Sequence, residues 1–363
     1  LRVFGQQGYN EQTKNVFREG KGAFEVAHDE FSLIRQWTSR SAGQEGNGLT
    51  VGIGDDAAVF SPAPEMEVVA CCDAMVETVH FLKKTMNPSD IGYKAVISNV
   101  SDVAAMGGVA RYALVSIAVS PQWTPDECQQ IYEGIYEACQ AYGVRVIGGD
   151  TVSAPDALHL SVTVLGEVEK GRAIRRSQAK PGQLVFVTGH VGTSAAGLHL
   201  LLQGETAERG VSLPWETLMD AHQRPVAQIK AGRLLLESGA CSALNDVSDG
   251  LASELWEIAE ASGVSILVDA ATVPIHDEVR EYAQHVEKDP LEWAFYGGED
   301  YQLVGTLAKS HYEAVSKQFA ASGVPFTVIG EVVGKTHEPE LMLRRDDQQL
   351  PLPKAGFNHF RSG

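Results

Sequence analysis

The chain has 363 residues, 44% of them apolar and 21% charged, which suits one large or two medium globular domains. A net charge of −18 argues against a nucleic-acid partner, and no apolar run approaches the length of a membrane span. The five cysteines are odd in number and lack CxxC spacing, and the start carries no signal-peptide pattern, so a reduced cytoplasm is the expected location.

Residues 1–29 are polar, mix both charges and lack a sustained period; they are read as a poorly ordered extension. "VGIGDDAAVF" follows at 51–60, with glycines of the kind found in phosphate-cradling loops, yet Asp55 and Asp56 stand where a lysine or a bare helix start is wanted. "EVVACC" (67–72) and "YALVSIAVS" (112–120) read as strands, and "PSDIGYKAVISNVSDVAAMGG" (88–108) as a helix with Ile91, Ala95, Ser98 and Asp102 on one face. "TPDECQQIYEGIYEACQAYG" is a helix with Thr124 as cap, Pro125 in its first position and Glu127 completing a capping box. "VRVIGG" (144–149) and the alternating "LHLSVTVLGEV" (158–168) are strands.

The basic segment "EKGRAIRRSQAKPG" (169–182) is the candidate linker between an N-terminal domain at 30–168 and a C-terminal domain at 183–363. The second half again alternates strands and helices, with "GVSILVDA" and "YQLVGTL" as strands. "TVLGEV" (163–168) is echoed by "TVIGEV" (327–332), and "GGD" (148–150) by "GGED" (297–300). The expected fold is therefore α/β (α+β), with mixed-sheet, barrel-forming strands and helices in the first domain and an α/β layered second domain. "TGHVGTSAAG" (188–197) opens a helix after a strand; it suits either an anion at the helix N-terminus or tight strand-to-helix packing.

Acidic turns recur in both halves: "GDD" (54–56), "CCD" (71–73), "NVSD" (99–102), "GGD" (148–150), "NDVSDG" (245–250) and "GGED" (297–300). Each alone suits an aspartate bonding its own backbone. Together, converging, their repulsion demands cations, and all-oxygen donors select Mg²⁺ or Ca²⁺. Read as a calcium loop, "NDVSDGLASELW" places Val247 and Trp256 at liganding positions, which excludes an EF-hand. No GxxxxGK[ST] and no HRD or DFG set is present. The remaining reading is Mg²⁺ held between carboxylates and substrate phosphates.

Taken in order, "GIGDDAAV", "DAMVETVHF", "NVSDVAAMGG", "IGGDT", "NDVSDGL", "GGEDYQL" and "GFNHF" resemble the thiamine-monophosphate kinase family from about Glu30 to Phe360. That family shares a superfamily with aminoimidazole-ribonucleotide synthetase, selenide water dikinase and a hydrogenase-maturation protein. The resemblance implies ATP-dependent phosphorylation of thiamine monophosphate to thiamine diphosphate, several Mg²⁺ ions, and a homodimer formed through the N-terminal domains. It implies metal-binding roles for Asp55, Asp73, Asp102, Asp150, Asp246 and Asp249. Tyr132, Gly149, Asp150, Arg176 and Ser248 match nucleotide contacts, and His80, Glu299 and Phe357 match thiamine contacts. The chain departs from the family's common Ser-Thr at Cys71-Cys72, and a thiol is a poor Mg²⁺ ligand. Because the acceptor is itself an ionised phosphate, no His or Cys is assigned as base or nucleophile. Selenide dikinase would want a cysteine before Cys71 and the hydrogenase-maturation protein a cysteine tail, where this chain ends "FRSG". A non-catalytic Mg-nucleotide-binding protein stays open on motifs alone.

Overall fold

The computed structural model describes residues 30–41, 46–204, 215–346 and 348–356; the extension at 1–29 and Phe357 lie outside the described residues. An opening helix α1 (Glu30–Trp37) and a two-strand ribbon, β1 (Leu49–Val51) with β2 (Val59–Phe60), precede two open sheets. The first sheet has four strands: β3 (Met66–Val76), β4 (Val109–Val119), β5 (Arg145–Ser153) and β6 (His159–Glu169). Their order is β3-β6-β4-β5, antiparallel except for the β4–β5 pair. The expected mixed sheet is present; within the single chain it is open rather than closed into a barrel.

Two helices cover one face of this sheet, α2 (Pro88–Ala105) and α3 (Pro125–Tyr142). Their axes meet backbone to backbone. A Cβ on Gly92 would lie 1.9 Å from the Ile131 carbonyl oxygen, and one on Gly134 would lie 1.7 Å from that of Ser89. Any side chain at either position would drive the helices apart. The capping box of α3 forms as its sequence predicts: Glu127 N–H donates to Thr124 Oγ1 at 3.2 Å and Thr124 N–H donates to Glu127 Oε2 at 2.7 Å.

The second unit is a seven-stranded sheet of β7 (Leu184–Thr188), β8 (Cys241–Asp246), β9 (Val264–Asp269), β10 (Leu303–Leu307), β11 (Phe326–Lys335), β12 (Leu341–Arg345) and β13 (Gln348–Pro351). The order is β13-β12-β9-β11-β7-β10-β8, with only β9 and β12 parallel. Helices α4 (Thr193–Leu202), α5 (Glu216–Gln223), α6 (Ile229–Ser238), α7 (Leu251–Ser262), α8 (Asp277–His285), α9 (Pro290–Tyr296) and α10 (Tyr312–Ser322) pack around it. The echo of "TVLGEV" in "TVIGEV" holds, since both segments are strands, β6 and β11. The echo of "GGD" in "GGED" does not: 148–150 lies inside β5, whereas 297–300 is a loop.

The two units share a core. Ala104 and Ala105 of α2 pack in one apolar cluster with Leu235 and Leu236 of α6 and Phe186 of β7. Two pairs of opposite charge cross the same seam. From α2, the fully buried Asp90 accepts from Arg224 Nε at 2.6 Å, and the fully buried Lys94 donates to Glu299 Oε2 at 2.5 Å. The segment 169–182 is not a solvated tether: Ile174 and Ala179 are buried, and Arg175 O accepts from Leu244 N–H.

Candidate functional site

Strand alternation sends Asp73 and Asp150 to opposite faces of the first sheet. Asp73 on β3 is paired in register with Val162 and so points toward the α2 face, whereas Asp150 on β5 pairs with Ser116 and points to the opposite face. Asp73, Asp102 of α2 and Asp246 at the end of β8 meet on the helix-covered side, at the seam between the two units. Ser101 Oγ donates to Asp246 Oδ2 at 2.8 Å across that seam, and Asn99 Oδ1 accepts from Asp73 N–H at 3.1 Å. Burial, then the Asp246 and Asp73 charges, push the Asp102 carboxyl up to about 8. Burial, opposed by the Ser101 hydrogen bond and Arg176, leaves Asp246 raised to about 6. Burial also raises Asp73, opposed by its Ser98 hydrogen bond and the nearby His80.

A cavity of about 350 Å³ opens beside this trio, lined by Asp102, Asp246, Asn245, Arg175, Arg176 and Cys71 among others. A second, of about 570 Å³, lies on the other face of the first sheet and takes in Asp55, Asp150, Gly149 and Tyr132. Its glycine is a packing necessity as well: a Cβ on Gly149 would sit 1.8 Å from the Val115 carbonyl oxygen. Tyr132 is almost wholly buried, stacks on Trp37 at 5.7 Å and bonds to Thr151, so only its rim can meet a ligand. Asp55 Oδ1 and Asp150 Oδ1 each accept from the backbone N–H of the next residue, at 2.8 and 2.9 Å, a local use of the carboxylate.

The acidic turns "NDVSDG" and "GGED" lie side by side, with Glu299 N–H donating to Ser248 O at 2.7 Å and Tyr301 N–H to Val247 O at 2.8 Å. Glu299 takes a left-handed backbone (φ 69°), unusual for a residue with a Cβ. The first turn is held from below by the buried Glu254, which accepts from Asp249 N–H at 3.1 Å, Ser248 Oγ at 3.4 Å and Asn245 Nδ2. Burial and the Asp246 and Glu257 charges push Glu254 up to about 9. His80 follows β3, and its Nδ1 accepts from Val76 N–H at 3.0 Å, placing the proton of the neutral ring on Nε2.

Asp73, Asp102 and Asp246 are thus brought together, Asp249 and Ser248 sit in the adjoining turn, and Asp55 and Asp150 belong to the other face. Among the described residues no three His, Cys, Asp or Glu side chains already stand in metal-holding positions. The donor set nonetheless fits a hard cation, since three crowded carboxylates that raise one another's protonation are relieved by bound positive charge.

The N-terminus of α4, within "TGHVGTSAAG", is filled by the chain itself. Asp300, buried, accepts from Gly192 N–H at 2.6 Å and Ser194 N–H at 3.0 Å, so this helix start serves packing rather than a ligand. Lys94, Asn245, Glu254 and Glu257 escaped sequence reasoning. The available signal for Lys94 was a lone cation inside the apolar run "IGYKAVI".

Cys71 Sγ donates to the Asn99 carbonyl at 3.2 Å, and burial and the Asp102 and Asp73 charges push its thiol far up. Such a thiol is no nucleophile. The double substitution Cys71→Ser, Cys72→Thr is therefore expected to keep kcat within about threefold, because only an activated thiolate would be missed; steady-state kinetics on the folded variant check this, and loss of turnover would show a chemical role for the thiols.

Residues 54–168 match the AIR synthase related protein, N-terminal domain, family, and residues 180–340 match AIR synthase related protein, C-terminal domain. Thiamine-monophosphate kinase of Bacillus subtilis (strain 168) is 45% identical over 338 residues, covering 92% of this chain and 100% of that protein. The crystal structure of thiamine-monophosphate kinase from Stenotrophomonas maltophilia K279a superposes with a TM-score of 0.76 at 32% identity, over 86% of this chain and 96% of that one. The structure of AaThiL complexed with AMPPCP and TMP gives a TM-score of 0.71 at 30% identity, over 91% and 97% of the two chains.

Proposed function

The chain belongs to the thiamine-monophosphate kinase family of AIR synthase related proteins, and on that premise we propose that it transfers the γ-phosphoryl group of ATP to the phosphate of thiamine monophosphate. The observation that carries this reading is the meeting of Asp73, Asp102 and Asp246 beside a cavity lined by Arg175 and Arg176, in a chain of net charge −18. Phosphoryl transfer asks mainly for positioning and charge neutralisation, and the seam offers both signs of charge in fixed places.

Asp73, Asp102 and Asp246 would hold Mg²⁺, with Asp249, Asp55 and Asp150 as further carboxylates. When bound, the metal would supply positive charge against the phosphates of donor and acceptor. Arg176 and Ser248 contact ATP at the seam, and Gly149, Asp150 and Tyr132, in the cavity on the other face of the first sheet, are the further nucleotide-binding residues. His80 Nε2–H donates to the acceptor phosphate, and Glu299 faces the cationic thiazolium ring; Phe357 is the further thiamine contact. Transfer is direct, because the acceptor phosphate is already a nucleophile and a covalent relay gains nothing. A chiral γ-thiophosphate donor is expected to give inversion at phosphorus, and net retention would require a phosphoenzyme.

Residues 30–168 form the metal- and nucleotide-binding domain, 169–182 the connection and 183–363 the C-terminal domain. The same protein works as a cytoplasmic homodimer. Support comes from β3, an eleven-residue edge strand that exposes Val68, Ala70, Cys72 and Ala74 on one face. No helix among the described residues is long and apolar enough to cross a membrane.

The test is an assay of ATP, thiamine monophosphate and Mg²⁺ with product identification. Thiamine diphosphate and ADP are expected, turnover falling to background on chelation and returning with Mg²⁺. Undiminished turnover after thorough chelation would remove the metal from this reading; no thiamine diphosphate at all would remove the reading itself.

A further inference from the structure

We infer that Asn245 is a positioning residue for Arg176, orienting its guanidinium toward the cavity at the seam. The inference rests on the reading of Arg176 as an ATP contact. The side chain of Arg176 is half exposed, at 51%, on a short turn (Arg176–Gln178), where an arginine ordinarily keeps its full rotamer freedom. Here it is held at several points. Arg176 Nε donates to Asn245 Oδ1 at 2.8 Å, Nη1 pairs with Glu257 at 2.9 Å, and its backbone carbonyl accepts from Ser262 Oγ at 2.9 Å. Among the described residues Nη2 has no partner, and Arg176 lines the cavity that Asp102 and Asp246 also line.

Asn245 can do this because its own amide is locked. It is buried at 1% exposure, and Nδ2 donates to Glu257 Oε2 at 3.0 Å and to Glu254 Oε2. Turning the amide over would aim an N–H at the guanidinium Nε–H, which can only donate, so only one orientation survives. Glu254 and Glu257 project together from α7, one helical turn apart. The order of support runs from α7 through Asn245 to Arg176. The residue type follows from charge: an aspartate in this place would set a second carboxylate against Arg176 beside Glu257 and would crowd Asp246, whereas an amide anchors Nε without adding negative charge.

The experiment is a double-substitution cycle on the full chain, reading KM for ATP, kcat and thermal midpoint. Arg176→Ala is expected to raise KM for ATP about tenfold or more, the loss of one charge-assisted contact. Asn245→Ala alone should raise KM for ATP roughly fivefold with kcat within about twofold, because the arginine remains but is no longer aimed. In the Arg176→Ala background Asn245→Ala should add nothing further to KM. An effect that multiplies in full in that background would overturn the inference, since Asn245 would then act on Asp246 or the strand instead. An unchanged KM for ATP in Arg176→Ala would overturn the ATP-contact reading, a separate outcome. Should Asn245→Ala unfold, Glu257→Gln, on an accessible helix face, carries the same cycle: a rise in KM for ATP that vanishes without Arg176 supports the arrangement, and one that persists overturns it.

Discussion

Asp102→Asn will reduce turnover by at least about 10²–10³-fold while leaving the metal-free protein as stable as the parent or more so. Asp102 sits between Asp246 and Asp73, and burial together with their charges already holds its carboxyl at about 8. Asparagine keeps the shape and removes the repulsion, so the fold loses no favourable ion pair. Activity loses a carboxylate from the place where Asp73, Asp102 and Asp246 meet. Steady-state kinetics and urea unfolding without added metal separate the two effects. Near-parental turnover would reject a central role for Asp102, and a clear loss of stability would show that its charge supports the fold.

Glu299→Gln will destabilise the protein by about 3 kcal/mol near neutral pH, because it leaves Lys94 charged, fully buried and without a counter-ion. His222 cannot replace the carboxylate. Burial and the Lys94 charge hold its imidazole well below 6.5, so it stays neutral, with Nδ1 at 3.5 Å from Lys94 Nζ and 3.3 Å from Ser194 Oγ. The loss will depend on pH. Burial lowers the folded value of Lys94 below 10.5, and Glu299 opposes that shift, so the substitution lowers it further. Below 10.5 the unfolded chain then binds the proton more tightly than the fold does, and stability rises with pH as folded Lys94 deprotonates. The deficit of the variant should therefore shrink between pH 7 and about pH 9.5. Urea unfolding at both pH values tests this. A deficit below about 1 kcal/mol at pH 7 would mean that the seam tolerates an unpaired Lys94. Because Glu299 also faces the thiamine ring in the proposed site, a rise in KM for thiamine monophosphate should accompany the stability change.

The sequence by itself determined most of the elements and the family of chemistry. The capping box at Thr124 and Glu127 formed as written, because caps are local and need only neighbouring residues. "LHLSVTVLGEV" became β6, because a period of two declares a strand with one face buried, and "YALVSIAVS" became β4, because a short apolar run suits a buried strand. The acidic turns were likewise legible as a set, and "NDVSDG" and "GGED" do lie together. Their grouping was not legible. Asp73 and Asp150 belong to opposite faces of one sheet because of strand pairing, a long-range choice that sends Cys71, Asp73 and Met75 toward α2 and Asp150 away from it. Asp102 and Asp246 meet because the shared apolar seam and the Lys94–Glu299 and Arg224–Asp90 pairs set how the two units dock. The anion seat before α4 likewise went to Asp300, more than a hundred residues distant in the chain. Local propensity spans a few residues, whereas burial, charge pairing and the sharing of a seam between two sheets are decided only when the whole chain has folded.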